Sequence, residues 1–202
     1  MVVRPAVGAD VAGMAAVLAD AFSETATFGW IIPDARARRR ALAAVFAGTL
    51  RNLAGDGPLV AEREGAIIGV AVWVPPRRQA AAWRGHLLMA PGLVRAADPR
   101  TLWALAGRGR AVDRALTRAR PSSPHWYLGS LGTSQGARGE GAGAALLRRG
   151  LERARLDGLP AYLEYEPHLV GYYERFGFTV RGELPVPAGS PPHAGMWWSG
   201  QE

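Results

Sequence analysis

Three glycines at alternate positions, preceded by an arginine, are the most distinctive local pattern in the sequence. Gly139, Gly141 and Gly143 follow Arg138 and open a stretch of helical periodicity, residues 141–157. Glycine lets backbone N–H groups approach a ligand because no Cβ stands in the way. The start of a helix adds unpaired N–H groups and a partial positive charge. The pattern therefore predicts a cradle for a pyrophosphate, to which Arg138 adds a full positive charge.

Other interpretations of these glycines are a flexible loop in a glycine-rich chain or a different kind of phosphate loop. A Walker A loop requires Gly-Lys-[Ser/Thr], but the sequence contains no lysine. A Rossmann fingerprint has a different glycine spacing, although Glu164 lies at a tolerable distance to serve as its acidic residue. The glycine spacing and its late position in the chain disfavour the Rossmann interpretation.

Two carboxylates stand at the end of a strand that is predicted to follow this helix. Glu164 and Glu166 are two residues apart, which places both side chains on one face of a strand. They are candidates for a general base that removes a proton from an amine, directly or through water. A solvated strand end is an equally good interpretation of the same spacing.

The sequence predicts no metal site and no covalent cysteine chemistry. There is no cysteine, and the four histidines are scattered without the spacing of metal ligands. Several large aromatic residues could instead wall a pocket for an apolar or aromatic acceptor, although core packing is the alternative for each. The candidates for this substrate-binding role are Phe28, Trp30 and Trp73, together with Glu164.

Hydrophobic periodicity and turn residues predict the elements that must position these groups. The predicted strands are 2–5, 59–63, 66–75, 126–133, 161–165, 178–183 and 196–198, and the predicted helices are 10–22, 35–53, 141–157 and 169–175. Residues 77–120 are mostly helical in pattern, with breaks at Pro91-Gly92 and Asp98-Pro99, and residues 25–33 are irregular. Asp10 and Asp34 are expected to cap the first two helices. Residues 67–74 are apolar on both faces, which predicts a central strand of the sheet. The second half of the chain therefore indicates an α/β unit with a mixed sheet.

Length and composition indicate one domain, residues 1–202, of ordinary globular character. The net charge is +7, and every lysine-or-arginine position is an arginine. These arginines are spread along the chain rather than gathered in a stripe. This distribution favours a small anionic partner over nucleic acid. The first residues lack a signal-like apolar segment, and no apolar run is long enough to span a membrane. We therefore expect a cytoplasmic protein with no membrane partner, and a homodimer is compatible with the sequence.

Two ordered motifs together resemble the GNAT acetyltransferase family. The first is Leu131-Gly132-Thr133 followed by Arg138-x-x-Gly141-x-Gly143-Ala144, and the second is Tyr173-Glu174-Arg175-Phe176-Gly177-Phe178. The resemblance looks closest to the puromycin N-acetyltransferase-like branch. It implies an α/β (α+β) fold with a mixed, mostly antiparallel central sheet flanked by helices. Against that fold, the stretch at about 77–120 is a helical insertion.

The resemblance also implies acetyl-CoA as co-substrate, no metal, and an amine of a small molecule as acceptor. By similarity, Leu131, Gly132 and Thr133 pair with the pantetheine arm, and the pyrophosphate turn comprises Arg138, Gly139, Glu140, Gly141, Ala142, Gly143 and Ala144. Tyr173 matches the tyrosine that protonates the leaving thiolate and contacts the cofactor, with Glu164 and Glu166 as candidate bases. A strand edge at Leu131 can supply N–H donors to the developing oxyanion.

One position departs from the family pattern. Leu169 stands where the family often has an asparagine, which removes one expected polar contact to the cofactor. Tyr172 is adjacent to Tyr173, and the motif register favours Tyr173 as the acid. The alternatives that the sequence leaves open are an acetyltransferase acting on a protein or peptide amine and a CoA-binding module without catalysis.

Overall fold

A seven-stranded sheet forms the centre of the protein. The computed structural model describes residues 1–53, 57–79 and 97–200. The strands are β1 (Val2–Pro5), β2 (Leu59–Arg63), β3 (Ala66–Val74), β4 (Trp126–Thr133), β5 (Ala161–Tyr165), β6 (Thr179–Glu183) and β7 (Ala194–Trp198), in the order β1-β2-β3-β4-β5-β7-β6. Every neighbouring pair is antiparallel except β4 and β5. The predicted mixed, mostly antiparallel sheet is confirmed.

Helices cover both faces of this sheet. They are α1 (Val11–Ser23), α2 (Ala26–Ile31), α3 (Ala35–Leu53), α4 (Pro99–Ala104), α5 (Arg110–Ala119), α6 (Ala142–Leu156) and α7 (Val170–Glu174). Alternate residues of β3 point to opposite faces, so this strand contributes side chains to two hydrophobic cores. Val70 and Val72 pack with α1 and α3, whereas Ala71 and Trp73 pack with α6. β3 is thus buried on both faces, as its continuous apolar sequence predicts.

The first helices depart from the sequence expectation at two places. Residues 25–33, expected to be irregular, contain the helix α2, whose first turn is capped by the Thr25 hydroxyl. Asp10, expected to cap α1, makes no such cap; its carboxylate accepts from the backbone N–H of Val7 and from the Arg4 guanidinium. Asp34 does cap α3, since its carboxylate accepts from the N–H of Ala37 at 2.7 Å.

The helical stretch expected at 77–120 is confirmed where it is described, in α4 and α5. Between them, residues Leu105–Gly109 form a π-helical turn. Asp98 caps α4 and Pro99 begins it, which is the break that Asp98-Pro99 predicts. Residues 80–96, including the break expected at Pro91-Gly92, lie outside the described residues.

The sheet opens between its two parallel strands. β4 and β5 pair only from Trp126 to Leu128 against Ala161 to Leu163. At the same point β4 changes register against β3, because Ser130 lies opposite Val72 whereas Leu128 lies opposite Trp73. Gly129 is therefore an extra, bulged residue, and bulges bend and twist a strand. Beyond it β4 keeps β3 as a partner, and its other edge has no partner in β5.

Gly150 in α6 provides a test of the packing between helix and sheet. A Cβ added at this position would lie 1.9 Å from Cε2 of Trp73, a side chain that is fully buried. We expect Gly150→Ala to lower the free energy of unfolding by roughly 1–3 kcal/mol through overpacking, against the usual gain of about 1 kcal/mol for Gly→Ala in a helix.

Gly171→Ala in α7 is the matched control, because a Cβ there meets no atom within 4 Å. We expect it to leave stability unchanged or raised. Thermal and urea unfolding of both variants measure the difference, and equal stabilities for the two variants would contradict the described contact.

Candidate functional site

The gap between β4 and β5 opens into one large cavity of about 1750 Å³. Its walls include the glycine-rich turn, the carboxylates of Glu164 and Glu166 at the end of β5, and apolar side chains of α1, α2 and α3. With the exception of Glu140, the residues predicted to bind a cofactor and those predicted to do acid–base chemistry therefore line one continuous space. A donor and an acceptor can meet there without leaving the protein.

The glycine-rich turn has the geometry of an anion cradle. Gly139 and Gly141 have φ angles of 82° and 85°, in the left-handed region that favours glycine, and a Cβ on either would enter open space. Gly141 precedes α6, whose first residues Ala142, Gly143 and Ala144 lack an intrahelical partner for their N–H groups. Within the described chain, no backbone acceptor outside the helix takes these three N–H groups. The turn therefore offers a cluster of backbone donors to the cavity.

Arg138 and Glu140 flank these donors and behave differently. Arg138 lines the cavity and is exposed to solvent. It makes no ion pair with any of the described residues. Glu140 is turned to the protein surface, where its carboxylate pairs with Arg63. The backbone N–H of Glu140 donates to the carbonyl of Ala137. Glu140, expected within the cofactor turn, thus directs neither its side chain nor its N–H group to the cavity.

The segment Leu131-Gly132-Thr133 lies on the open edge of β4 and lines the cavity. The missing side chain of Gly132 also has a packing function. A Cβ at this position would lie 2.8 Å from Cβ of Ala21 in α1. Gly132 therefore allows α1 to approach the sheet, while its neighbours present the strand edge.

Tyr173 and Tyr172 both line the cavity from α7, but they are buried to different degrees. Tyr173 is 8% exposed, and its ring packs edge-on against Tyr165 and Phe178. Burial raises the pKa of the Tyr173 hydroxyl above its usual range, so the group stays protonated at neutral pH and can donate a hydrogen bond. Leu169, one turn earlier, also lines the cavity and packs against the core under α6.

Glu164 is fully engaged by two neighbours that sequence reasoning missed. Arg120 donates to both of its carboxylate oxygens, and the Tyr127 hydroxyl donates to Oε2 at 2.7 Å. The Glu164 and Arg120 side chains are only 5% and 9% exposed. Burial and the Glu164 carboxylate raise the pKa of Tyr127, which keeps that hydroxyl a neutral donor. Glu164 lines the cavity as one half of a buried ion pair, and both of its carboxylate oxygens already accept hydrogen bonds.

Glu166 has a different environment. Its Oε1 accepts from the backbone N–H of Thr27 at 3.0 Å and from the Thr27 hydroxyl at 2.7 Å. Oε2 has no hydrogen bond among the described residues, and Nδ1 of His168 lies 3.8 Å from it. The Thr27 oxygen in turn lies 3.3 Å from Nε2 of His193, a buried residue. Thr27 and His193 are 139 and 27 residues from Glu166 in the chain, so no local sequence signal could link them.

The predicted acceptor-pocket residues divide between cavity and core. Phe28 and Glu164 line the cavity. Trp73 does not: it is fully buried on the opposite face of the sheet, against Gly150 of α6. Trp30 also lies outside the cavity lining, where the guanidinium of Arg108 stacks 5.0 Å from its ring centre. The apolar wall comes instead from residues that sequence analysis did not single out, including Phe22, Phe46, Leu50, Leu102 and Leu105.

Two general properties of the described chain bear on function. Among the described residues, no group of three or more His, Asp or Glu side chains is arranged to hold a metal ion. Over the same residues, no helix is both long enough and apolar enough to cross a bilayer.

Comparisons with known proteins agree with this geometry. Residues 16–178 match the model of the acetyltransferase (GNAT) family, whose members use acetyl-CoA as co-substrate. The solved structure of a histone acetyltransferase HPA2 and related acetyltransferase from Corynebacterium glutamicum is 32% identical, with a TM-score of 0.70. That match covers 96% of this chain and 93% of the other.

Two further structures share the fold at lower identity. An N-acetyltransferase from Staphylococcus aureus Mu50 is 13% identical, covers 98% of this chain and 100% of its own, and has a TM-score of 0.65. A ribosomal-protein-alanine N-acetyltransferase from Brucella melitensis is 21% identical, covers 98% of both chains, and has a TM-score of 0.56. The chain belongs to the acetyltransferase (GNAT) family and is an acyl-CoA-dependent N-acetyltransferase.

Proposed function

We propose that the protein transfers an acetyl group from acetyl-CoA to the amine of a small molecule, by direct attack in a ternary complex. The observation that carries this proposal is the single cavity, which is lined by the phosphate cradle, by Tyr173 and by Glu166. An acyl group presented between β4 and β5 would lie within the same space as an amine held near α2. Direct attack needs no covalent enzyme intermediate, and the chain has no cysteine to form a thioester.

The donor end of the cavity fits a CoA thioester. The N–H groups at the start of α6 and the Arg138 guanidinium suit a pyrophosphate, since both carry positive charge toward it. The open edge of β4 at Leu131 and Thr133 suits an extended amide-containing arm, because such an edge pairs with a strand-like ligand. When bound, acetyl-CoA supplies the activated acyl group.

Two side chains have the properties that the proton movements require. The Tyr173 hydroxyl is held neutral by burial and can donate a proton to the departing sulfur. Glu166 has one carboxylate oxygen without a hydrogen-bond partner in the described chain, and this oxygen can accept the proton of the attacking amine. We assign Glu166 rather than Glu164 as the base, because both oxygens of Glu164 already accept hydrogen bonds.

The apolar lining on the acceptor side of the cavity favours an amine substrate whose remaining part is apolar. Phe22, Phe28 and Phe46 line this part of the cavity, and burying one methylene contributes about 0.8 kcal/mol. The expected likeness to the puromycin N-acetyltransferase-like branch remains a prediction of the same kind. A protein or peptide amine is the competing acceptor, and it has some support from the relative described as a histone acetyltransferase.

Turnover with a panel of amines tests the proposal. The protein is incubated with acetyl-CoA and with alkylamines, arylalkylamines, amino acids and histone-tail or ribosomal-protein peptides, and thiol release is followed. We expect the largest kcat/KM with an apolar or aromatic primary amine. A preference for peptides would establish the competing acceptor, and tight CoA binding without turnover of any amine would identify a non-catalytic binding module.

Arg138 provides a test of the donor site. We expect Arg138→Ala to weaken CoA binding about 3- to 10-fold, because an exposed cation on a pyrophosphate contributes roughly 1 kcal/mol, and to do so less at high salt. Arg149→Ala is the matched control, since Arg149 is an exposed α6 residue that pairs with Glu152. Calorimetric titration with CoA measures both variants, and equal affinities would remove Arg138 from the site.

Tyr173→Phe tests the general acid. We expect kcat to fall roughly 100-fold, at the lower end of general acid contributions, with the affinity for CoA unchanged. Tyr172→Phe, which removes the neighbouring hydroxyl, should keep kcat near the wild-type value. Steady-state rates and CoA titrations give both numbers. An unchanged kcat in Tyr173→Phe, or a larger loss in Tyr172→Phe, would show that the acid is assigned to the wrong residue.

A further inference from the structure

Glu166 is held by a segment from the opposite end of the chain. Thr27 is the second residue of α2, so its backbone N–H is one of those that a helix start leaves unpaired. This N–H and the Thr27 hydroxyl both donate to Oε1 of Glu166, at 3.0 and 2.7 Å. Two donors on one oxygen fix the rotation of the carboxylate. The other oxygen, Oε2, is then the one available to an incoming amine.

The direction of these hydrogen bonds depends on His193. A hydroxyl has a single hydrogen, and an ionised carboxylate can only accept, so the Thr27 hydroxyl donates to Glu166. The Thr27 oxygen is then an acceptor for Nε2 of His193, which lies 3.3 Å away. If Nε2 instead presented its lone pair, the ring would compete with Glu166 for the same hydrogen. A hydrogen on Nε2 therefore leaves Glu166 as the acceptor for the Thr27 hydroxyl.

The imidazole ring itself is fixed by the backbone. Its Nδ1 lies 3.1 Å from the carbonyl of Pro191, and His193 is 8% exposed at the wall of the cavity. The contacts at its two nitrogens, to the Pro191 carbonyl and to the Thr27 oxygen, hold the ring in one orientation beside Thr27. His168 also lies beside Glu166, and its side chain is 68% exposed.

We propose that Thr27 and His193 are positioning residues for Glu166. Thr27 orients the carboxylate so that Oε2 faces the acceptor, and His193 keeps the Thr27 hydroxyl directed at Oε1. This inference rests on the proposed role of Glu166 as base. It adds that α2, which also contributes Phe28 to the acceptor wall, holds the base in its working orientation. The effect of each residue passes through the next, from His193 to Thr27 to Glu166.

A set of nested variants tests this order. We expect Glu166→Gln to lower kcat at least about 100-fold, in the range of general base contributions. Thr27→Val should lower kcat about 10-fold, the equivalent of one net hydrogen bond, with the KM for acetyl-CoA within about twofold of wild type. Thr27→Ser, which keeps the hydroxyl, should recover most of the loss. Thr117→Val, at a threonine that does not line the cavity, is the matched control and should retain full activity.

Double variants separate action through a neighbour from independent action. His193→Phe should lower kcat about as much as Thr27→Val, and the two changes together should cost no more than either alone. Adding Thr27→Val to Glu166→Gln should produce no further loss. If the valine variant does not fold, Thr27→Ala carries the same expectations.

The outcomes distinguish this inference from the proposed function. A wild-type enzyme that acetylates no amine, or a Glu166→Gln variant with full activity, overturns the proposed function and the positioning with it. An active enzyme that needs Glu166 overturns the positioning alone in three cases: if Thr27→Val keeps its kcat, if Thr27→Ser is no better than Thr27→Val, or if the losses of the double variants multiply.

Discussion

The divergence of two parallel strands is the constraint on which the rest of the structure depends. β4 and β5 are hydrogen-bonded neighbours for three residue pairs and then separate. A buried strand edge without a partner is costly unless something satisfies it. In this protein the unpaired edge faces a cavity rather than the core, so it can be satisfied by water or by a ligand that lies along it. The cavity is therefore a consequence of how the sheet opens.

Two features hold the strands apart at the point of divergence. Gly129 adds one residue to β4 relative to β3, which bends the strand away. Glu164 is the first residue of β5 beyond the last pair with β4, and its carboxylate is tied to Arg120 and Tyr127. This buried ion pair therefore lies where the two strands separate. The two glutamates that the spacing places on one face thus have separate environments, because Glu164 pairs with the Arg120 guanidinium whereas Glu166 accepts from the backbone and hydroxyl of Thr27.

The sequence could predict the sheet, most helix boundaries and the glycine-rich turn before α6. Those features depend on local signals: alternating apolar residues in β3, caps at Asp34 and Asp98, and the glycines before α6. The acceptor half could not be predicted in the same way. The partners of Glu166 come from α2 and from the segment before β7, and Trp73 lies in the core because a glycine in α6 leaves room for it. Contacts between distant segments leave no periodic trace in a sequence.

The central claim is that donor and acceptor meet in one cavity and that the acyl group passes directly between them. Initial rates measured over a grid of acetyl-CoA and amine concentrations test this claim most directly, because they report whether both substrates are bound before the first product leaves. The account predicts double-reciprocal lines that intersect, as for a sequential mechanism. Parallel lines, with release of CoA before the amine binds, would contradict it.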